Sequence, residues 1–210
     1  MTGFQQGHSA VVRLATVRYM REGAGFEVVS ASIEGQPVLL AFEPDPHEHR
    51  RRLDHGVGAV RSRRLLHALW SLPHQVSWPA AGFDHLNAET LESDGAGFVE
   101  VNRDTFVRTY QPPGRVHAVG LHSSRLVDAV RRVGMFPPIF ARYAIPARPC
   151  RTDEDAVASA AALGIGAAVA LPGELLVRSR PGSPEMGAPG VYRWWIAEVA
   201  YQRWRQASAH

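Results

Sequence analysis

"VHAVGLHSSRLVDAVRR", Val116 to Arg132, is the stretch on which the fold turns. A short apolar run ends in Gly120-Leu121-His122, and after Ser123 the pattern becomes helical, with Leu126, Val127, Val130 and Val133 at helical spacing. Gly134 and Pro137-Pro138 then stop the helix. A strand that delivers Gly120 and His122 to the mouth of a helix raises one question: whether they are a working catalytic pair or the remains of one.

Downstream the pattern is the most regular in the chain. "IFARYAIPA" (139–147) predicts a strand. "TDEDAVASAAALGIG" (152–166) predicts a helix with Thr152 as its cap, an acidic first turn and Gly164 as its stop. "AAVALPGELLVRS" (167–179) returns as strand. Strand, helix and strand in that order favour a parallel pair with a right-handed crossover. A Gly- and Pro-rich loop, "RPGSPEMGAPG", leads to a closing helix, "VYRWWIAEVAYQRWRQ" (191–206).

Upstream, "GFVEVNRDTFVRTYQPPG" (97–114) reads as one or two strands, and residues 73–97 hold Pro73, Pro79, Gly82, Gly95 and Gly97 with little periodicity. That segment is expected to be a boundary or long connecting loop. Before it, "HEHRRRLDHGVGAVRSRRLLHALWSLP" (47–73) is basic and helical, broken at Gly56 and Gly58, with Leu65, Leu66, Leu69 and Trp70 on an apolar stripe. "FEVVSASIEGQPVLLAFEP" (26–44) alternates on either side of Glu34-Gly35-Gln36 and predicts a β-hairpin. "SAVVRLATVRYMREGAG" (9–25) fits a helix capped by Ser9 and a strand equally well. The domains expected are 1–80, a hairpin plus basic-helix module, and 98–210, an α/β domain.

Composition restricts the chemistry. All 23 basic residues are Arg and none is Lys, so a P-loop, a Schiff-base lysine and a kinase lysine are excluded. The bias is that of a GC-rich, actinobacterial-type genome, but its physical consequence stands: guanidinium groups grip phosphates in bidentate fashion and stack on bases. A formal charge of +3 admits a nucleic-acid partner without requiring one. The single cysteine, Cys150, forms no internal disulfide, which points to a reducing cytoplasm. The opening residues do not resemble a secretory signal, and the uncharged run 156–173 is too poor in Leu, Ile and Phe for a membrane span.

Weaker motifs fail on context. "GVGAVR" at Gly56 lacks a third glycine, and "GIGAAV" at Gly164 ends a helix where a dinucleotide site would begin one. His47 and His49 would share a face only on a strand. Cys150 has no identifiable base. The clusters Arg50-Arg51-Arg52, Arg61-Arg63-Arg64 and Arg131-Arg132 are the wet faces of helices or, alternatively, a phosphate-contacting surface. Trp194, Trp195 and Trp204 first suggest core packing, and second a base-stacking platform.

Together, residues 98–206 resemble the PD-(D/E)XK, restriction-endonuclease-like superfamily in element order and spacing. "RVHAVGLHSSRLVDAVRR" is similar to the family's acid-x-Lys strand and following helix, "ARYAIPA" to the next strand, and "DEDAVASAAALGIGAAVAL" to the late helix and strand. "YRWWIAEVAYQRW" resembles the terminal helix of small actinobacterial members. The resemblance implies Asp104 as the upstream acid, with Gly120 where the second acid should stand and His122 where the Lys should stand. Two carboxylates are what hold Mg²⁺ against a scissile phosphate. Another register uses Glu100 and Asn102 with Asp84 upstream, but it restores no base.

The expectation is therefore an α/β protein of α+β mixed-sheet type with a degenerate nuclease-like domain and no cofactor, serving as a nucleic-acid-associated or regulatory protein. The first alternative is an active metal-dependent phosphodiesterase using Asp104, Glu100 or His122 with Mg²⁺. The second is a protein-protein interaction module, docking a partner or a second copy through the Trp-rich terminal helix.

Overall fold

The computed structural model describes residues 26–146, 153–171, 174–183 and 190–208. Its strands are β1 (Glu27–Ile33), β2 (Gln36–Pro44), β3 (Ser77–Pro79), β4 (Val99–Asn102), β5 (Thr105–Arg108), β6 (Gly114–Ser123), β7 (Ala141–Pro146), β8 (Ile165–Leu171) and β9 (Glu174–Ser179). Its helices are α1 (Pro46–Asp54), α2 (Arg63–Trp70), α3 (His85–Asp94), α4 (Leu126–Val133), α5 (Glu154–Ala162) and α6 (Gly190–Ser208). The chain divides into two compact units, both discontinuous: residues 1–43 with 116–188, and residues 44–115 with 189–210. The sequential division into 1–80 and 98–210 runs across both of them.

The first unit is built on a six-stranded sheet of order β1-β2-β6-β7-β8-β9. β6, β7 and β8 run parallel, in sequence order, joined through α4 and α5, while β1-β2 and β8-β9 are antiparallel pairs. The mixed α/β sheet expected from the sequence is present. α4 packs on β7, α5 on β8, and the two helices touch each other, so both cover the same face. β2 from Val38 to Phe42 and β6 from Ala118 to Leu121 are buried at every position. Such unbroken burial is the mark of a sheet covered on both faces.

The β1-β2 hairpin closes on two residues. Ile33 pairs with Gln36, and Glu34 and Gly35 take φ of 51° and 77° between them. A turn with two positive φ values matches the right-handed twist of the strands it joins. The returning strand at 167–179 is two strands, β8 and β9, and Asp153 caps α5 by accepting from Ala156 N at 3.0 Å. Thr152 lies outside the described residues, as do Cys150 and the segment 9–25.

The second unit joins α1, α2, α3 and α6 to a three-stranded antiparallel sheet of order β3-β5-β4. Asp45 caps α1, accepting from His47 N and Glu48 N, with Pro46 in the first turn where its missing N–H costs nothing. Ser62 caps α2, whose Leu65, Leu66 and Leu69 enter the core beside Leu72, Leu91, Phe98, Phe106 and Tyr110. Each such leucine contributes about 1.5–3 kcal/mol on burial. The expected loop at 73–97 holds β3, a one-turn 3-10 helix and α3, so it is an interior part of this unit. Asp84 caps α3, but only Leu91 and Thr90 are buried along it, so it shows no apolar periodicity.

Candidate functional site

The basic run of α1 leads inward. Arg52 is 0% exposed, and its guanidinium has a partner at every nitrogen. Nε donates to Glu48 at 2.6 Å, Nη1 to Glu198 at 2.8 Å and to the Gly58 carbonyl, and Nη2 to Glu198 at 2.8 Å and to the Gln111 carbonyl. Glu198 of α6 also accepts from the Tyr110 hydroxyl at 2.9 Å and from Val60 N at 2.8 Å. Arg51 holds Glu48 from the other side and donates to the Gly97 carbonyl. Two cations and two anions thus neutralise one another.

This geometry sets the ionisation of its members. Burial would lower the Arg52 pKa, but the hydrogen bonds and charge of Glu198, then Glu48, outweigh it and the net shift is upward. Burial, reinforced by the Glu198 charge, pushes the Tyr110 phenol well above its ordinary range. Arg52 is therefore no phosphate contact, contrary to the reading of the Arg50-Arg51-Arg52 run. Arg51 is half-buried and tied to Glu48, which leaves Arg50 as the exposed member.

Arg61, Arg63 and Arg64 are exposed. The Arg63 guanidinium lies 3.5 Å from the Trp195 ring centroid, and Arg64 Nη2 reaches the Leu86 carbonyl at 3.2 Å. In the first unit, Arg131 is exposed on α4, while Arg132 is half-buried and donates from Nε to Gln36 Oε1 at 2.7 Å. The Trp-rich helix is engaged within its own unit. Trp194 meets Trp70 and Tyr110, both at 4.8 Å, and Trp204 meets His49 at 4.9 Å. His49 bonds Tyr201 through Nδ1 at 2.9 Å, and His47, on the same helix, is exposed. The two do not converge.

The residues singled out for catalysis fall on two different sheets. Asp104 is exposed in the turn between β4 and β5, and Glu100 is exposed on β4 opposite Val107. Asp84 serves as a helix cap. His122 stands on β6 of the six-stranded sheet, half-buried. Along β6, Ala118, Gly120 and His122 share one face, and their β7 partners are Ala141, Tyr143 and Ile145. Ala118 and Ile145 belong there to a cluster with Phe26, Leu39 and Ala41, against which Ala141 and Tyr143 pack.

Nearby, His117 Nε2 lies 2.7 Å from Glu43 Oε2, with the Phe26 ring stacked on the imidazole. Among the described residues no three His, Cys, Asp or Glu side chains form a group that could hold a metal ion. Among them, too, no helix is long and apolar enough to cross a membrane. Comparison with family models, curated proteins and solved structures finds no match for this chain.

Proposed function

We propose that this chain is a nucleic-acid-associated or regulatory protein whose six-stranded sheet is a restriction-endonuclease-like scaffold lacking its cation-holding acid. The observation that carries the reading is the face of β6. The position matched to the family's acid is Gly120, which has no side chain, and the position matched to its Lys is His122. Directly across on β7 stand Tyr143 and Ile145, set in an apolar cluster. A divalent cation at that place needs oxygen ligands to replace its water, and this pair of strands supplies apolar surface instead. Of the acids that would complete the site, Glu100 stands on β4 of the three-stranded sheet and Asp104 in the turn between β4 and β5.

Binding, on this reading, runs through the exposed arginines of the second unit, Arg50, Arg61, Arg63 and Arg64. If Arg50, Arg61 and Arg64 each neutralise one duplex phosphate, the log–log salt slope is about −3. Titration of labelled duplex DNA across a salt series, beside a cleavage assay in Mg²⁺ and Mn²⁺, tests the proposal. Salt-sensitive binding without cleavage is the expected result. Metal-dependent cleavage abolished by Asp104→Ala or His122→Ala would establish the phosphodiesterase instead. Absence of binding to duplex or single strand at low salt would leave a protein-interaction module.

A further inference from the structure

We infer that the half-buried guanidinium of Arg108, in the second unit, binds one oxyanion, the carboxylate or phosphate group of a small ligand. The site stands whether or not the exposed arginines of that unit bind nucleic acid. Arg108 closes β5, and its side chain is held from two sides. Nη1 donates to the Leu69 carbonyl in the last turn of α2 at 3.1 Å, and Cζ lies 5.0 Å from the Trp194 ring centroid. These contacts orient the guanidinium plane but bring no full negative charge to it. Nε is enclosed with no acceptor, Nη2 makes no hydrogen bond within the protein, and among the described residues no carboxylate pairs with Arg108. An enclosed N–H without an acceptor has given up water and gained nothing in return, so native structures keep few of them, and an ion is one partner that satisfies them. Arg52 of the same unit is the contrast, with two carboxylates and two carbonyls taking its donors. Burial lowers the Arg108 pKa, the direction of a cation that has lost water without gaining an anion.

The unsatisfied edge of the guanidinium selects the occupant. Nε and Nη2 carry parallel N–H bonds, which two oxygens of one carboxylate or phosphate accept together. A spherical anion such as chloride matches the charge and not the fork. His74 is the bridge partner of Arg108, so the two side chains leave the backbone on the same side. The Gln111 amide nitrogen lies 3.2 Å from His74 Nε2 and can only donate, which places the imidazole proton on Nδ1 and makes that atom a donor as well. The backbone here is strained: Gln75 has φ of 56°, in the left-handed region, and its N–H donates to the Arg108 carbonyl at 2.9 Å. Such strain persists where the surrounding structure holds it, and it gathers at ligand clamps. Its effect in this unit is to fix the backbone of His74 and Gln75 against that of Arg108.

Titration of the full chain, carrying isotope-labelled arginine, with inorganic phosphate and separately with acetate tests the site. Chloride holds the ionic strength constant, and the Arg108 Nε–H resonance is followed by NMR. A saturable downfield shift of that resonance is expected with at least one of the two anions, because the N–H gains a charged acceptor. The same anion should raise the urea midpoint of indole emission, since only the folded state binds it. Arg108→Lys keeps the charge and loses the fork, so its affinity for that anion should fall about tenfold, the worth of one charge-assisted hydrogen bond. Where Arg108→Lys does not fold, the Nε–H titration of the wild type carries the test by itself. Saturation with phosphate alone or acetate alone supports the site and names its class, and saturation with both supports a clamp for either. An Nε–H resonance that ignores both anions, or drifts with them without saturating, overturns the inference. So does an Arg108→Lys chain that binds the anion as tightly as the wild type.

Discussion

Glu198→Ala removes one carboxylate from a buried set of two arginines and two glutamates. It leaves Arg51 and Arg52 sharing Glu48 alone, a net buried positive charge. Four donors lose their acceptor: Arg52 Nη1 and Nη2, the Tyr110 hydroxyl and Val60 N. Breaking a buried ion pair from one side costs about 3–5 kcal/mol, because the remaining charge keeps its desolvation penalty without its partner. Arg52 retains Glu48 and two carbonyls, which argues for the lower half of that range. All five tryptophans, at 70, 78, 194, 195 and 204, belong to the second unit, so indole emission follows its unfolding specifically. With a urea slope of roughly 1.5 kcal/mol per molar, the emission midpoint should fall by about 2 M.

Glu198→Gln keeps the shape and is expected to cost less. Its amide nitrogen can turn toward Tyr110, whose hydroxyl then accepts, leaving Arg52 Nη2 as the one donor facing a donor. The order wild type, Gln, Ala is the signature of the network. A drop below about 0.5 M for Glu198→Ala would refute the account, as would equal losses for the two variants.

Four other perturbations follow from named contacts. Burial raises the phenols of Tyr110 and Tyr201 above their ordinary value of 10, so the stability they confer is present below that pH and is lost as pH rises beyond it. Alkaline urea titrations should show the emission midpoint falling above pH 10, less steeply in Tyr110→Phe. His49 is depressed by burial and by Arg205, so its contribution is present above its ordinary 6.5 and is lost as pH falls below. The loss of midpoint between pH 7.5 and 5.5 should therefore be smaller in His49→Gln than in wild type. Gly97 has φ of +79° and a β-carbon there would meet Val57 Cγ1 at 2.4 Å, so Gly97→Ala should cost about 2–3 kcal/mol by the same emission assay. Gly35 has φ of +77° with open space around it, so Gly35→Ala should cost only about 1 kcal/mol, read by far-UV dichroism on urea unfolding.

The fold was legible where a pattern is local. The two-residue turn at Glu34-Gly35 announces the hairpin, Gly164 ends α5 with φ of +60°, and the β7-α5-β8 order brings a parallel pair. Partition into units was not legible, because it depends on which distant strand an edge accepts. β2 lies beside β6 across a long insertion, and α6 returns to α1 at the far end of the chain. α3 escaped because its cap, Asp84, precedes a helix that buries too little to show a stripe. The loop-forming residues around it, Pro73, Pro79, Gly82 and Gly95, pointed to a linker that the folded unit does not contain.

Arg52 shows why charge patterns are read less surely than apolar ones. In sequence, Arg50, Arg51 and Arg52 are equivalent, yet one is exposed, one half-buried and one fully enclosed. Two signals separated them. Glu48 stands three residues before Arg51 and four before Arg52, the spacings at which side chains meet on a helix. Glu198 is the sole acid in a terminal helix otherwise rich in aromatic residues and alanine, where a carboxylate must find a partner or stay in water. Those facts say that two anions seek cations, but only the tertiary fold says which cations they find. Arg61 and Arg64, both exposed, have no acid within four residues in sequence. Local poverty of carboxylate does not by itself assign a cation to an outside partner: Arg142 has no acid within four residues either, yet it donates to the Phe136 and Leu163 carbonyls and helps to hold the protein together.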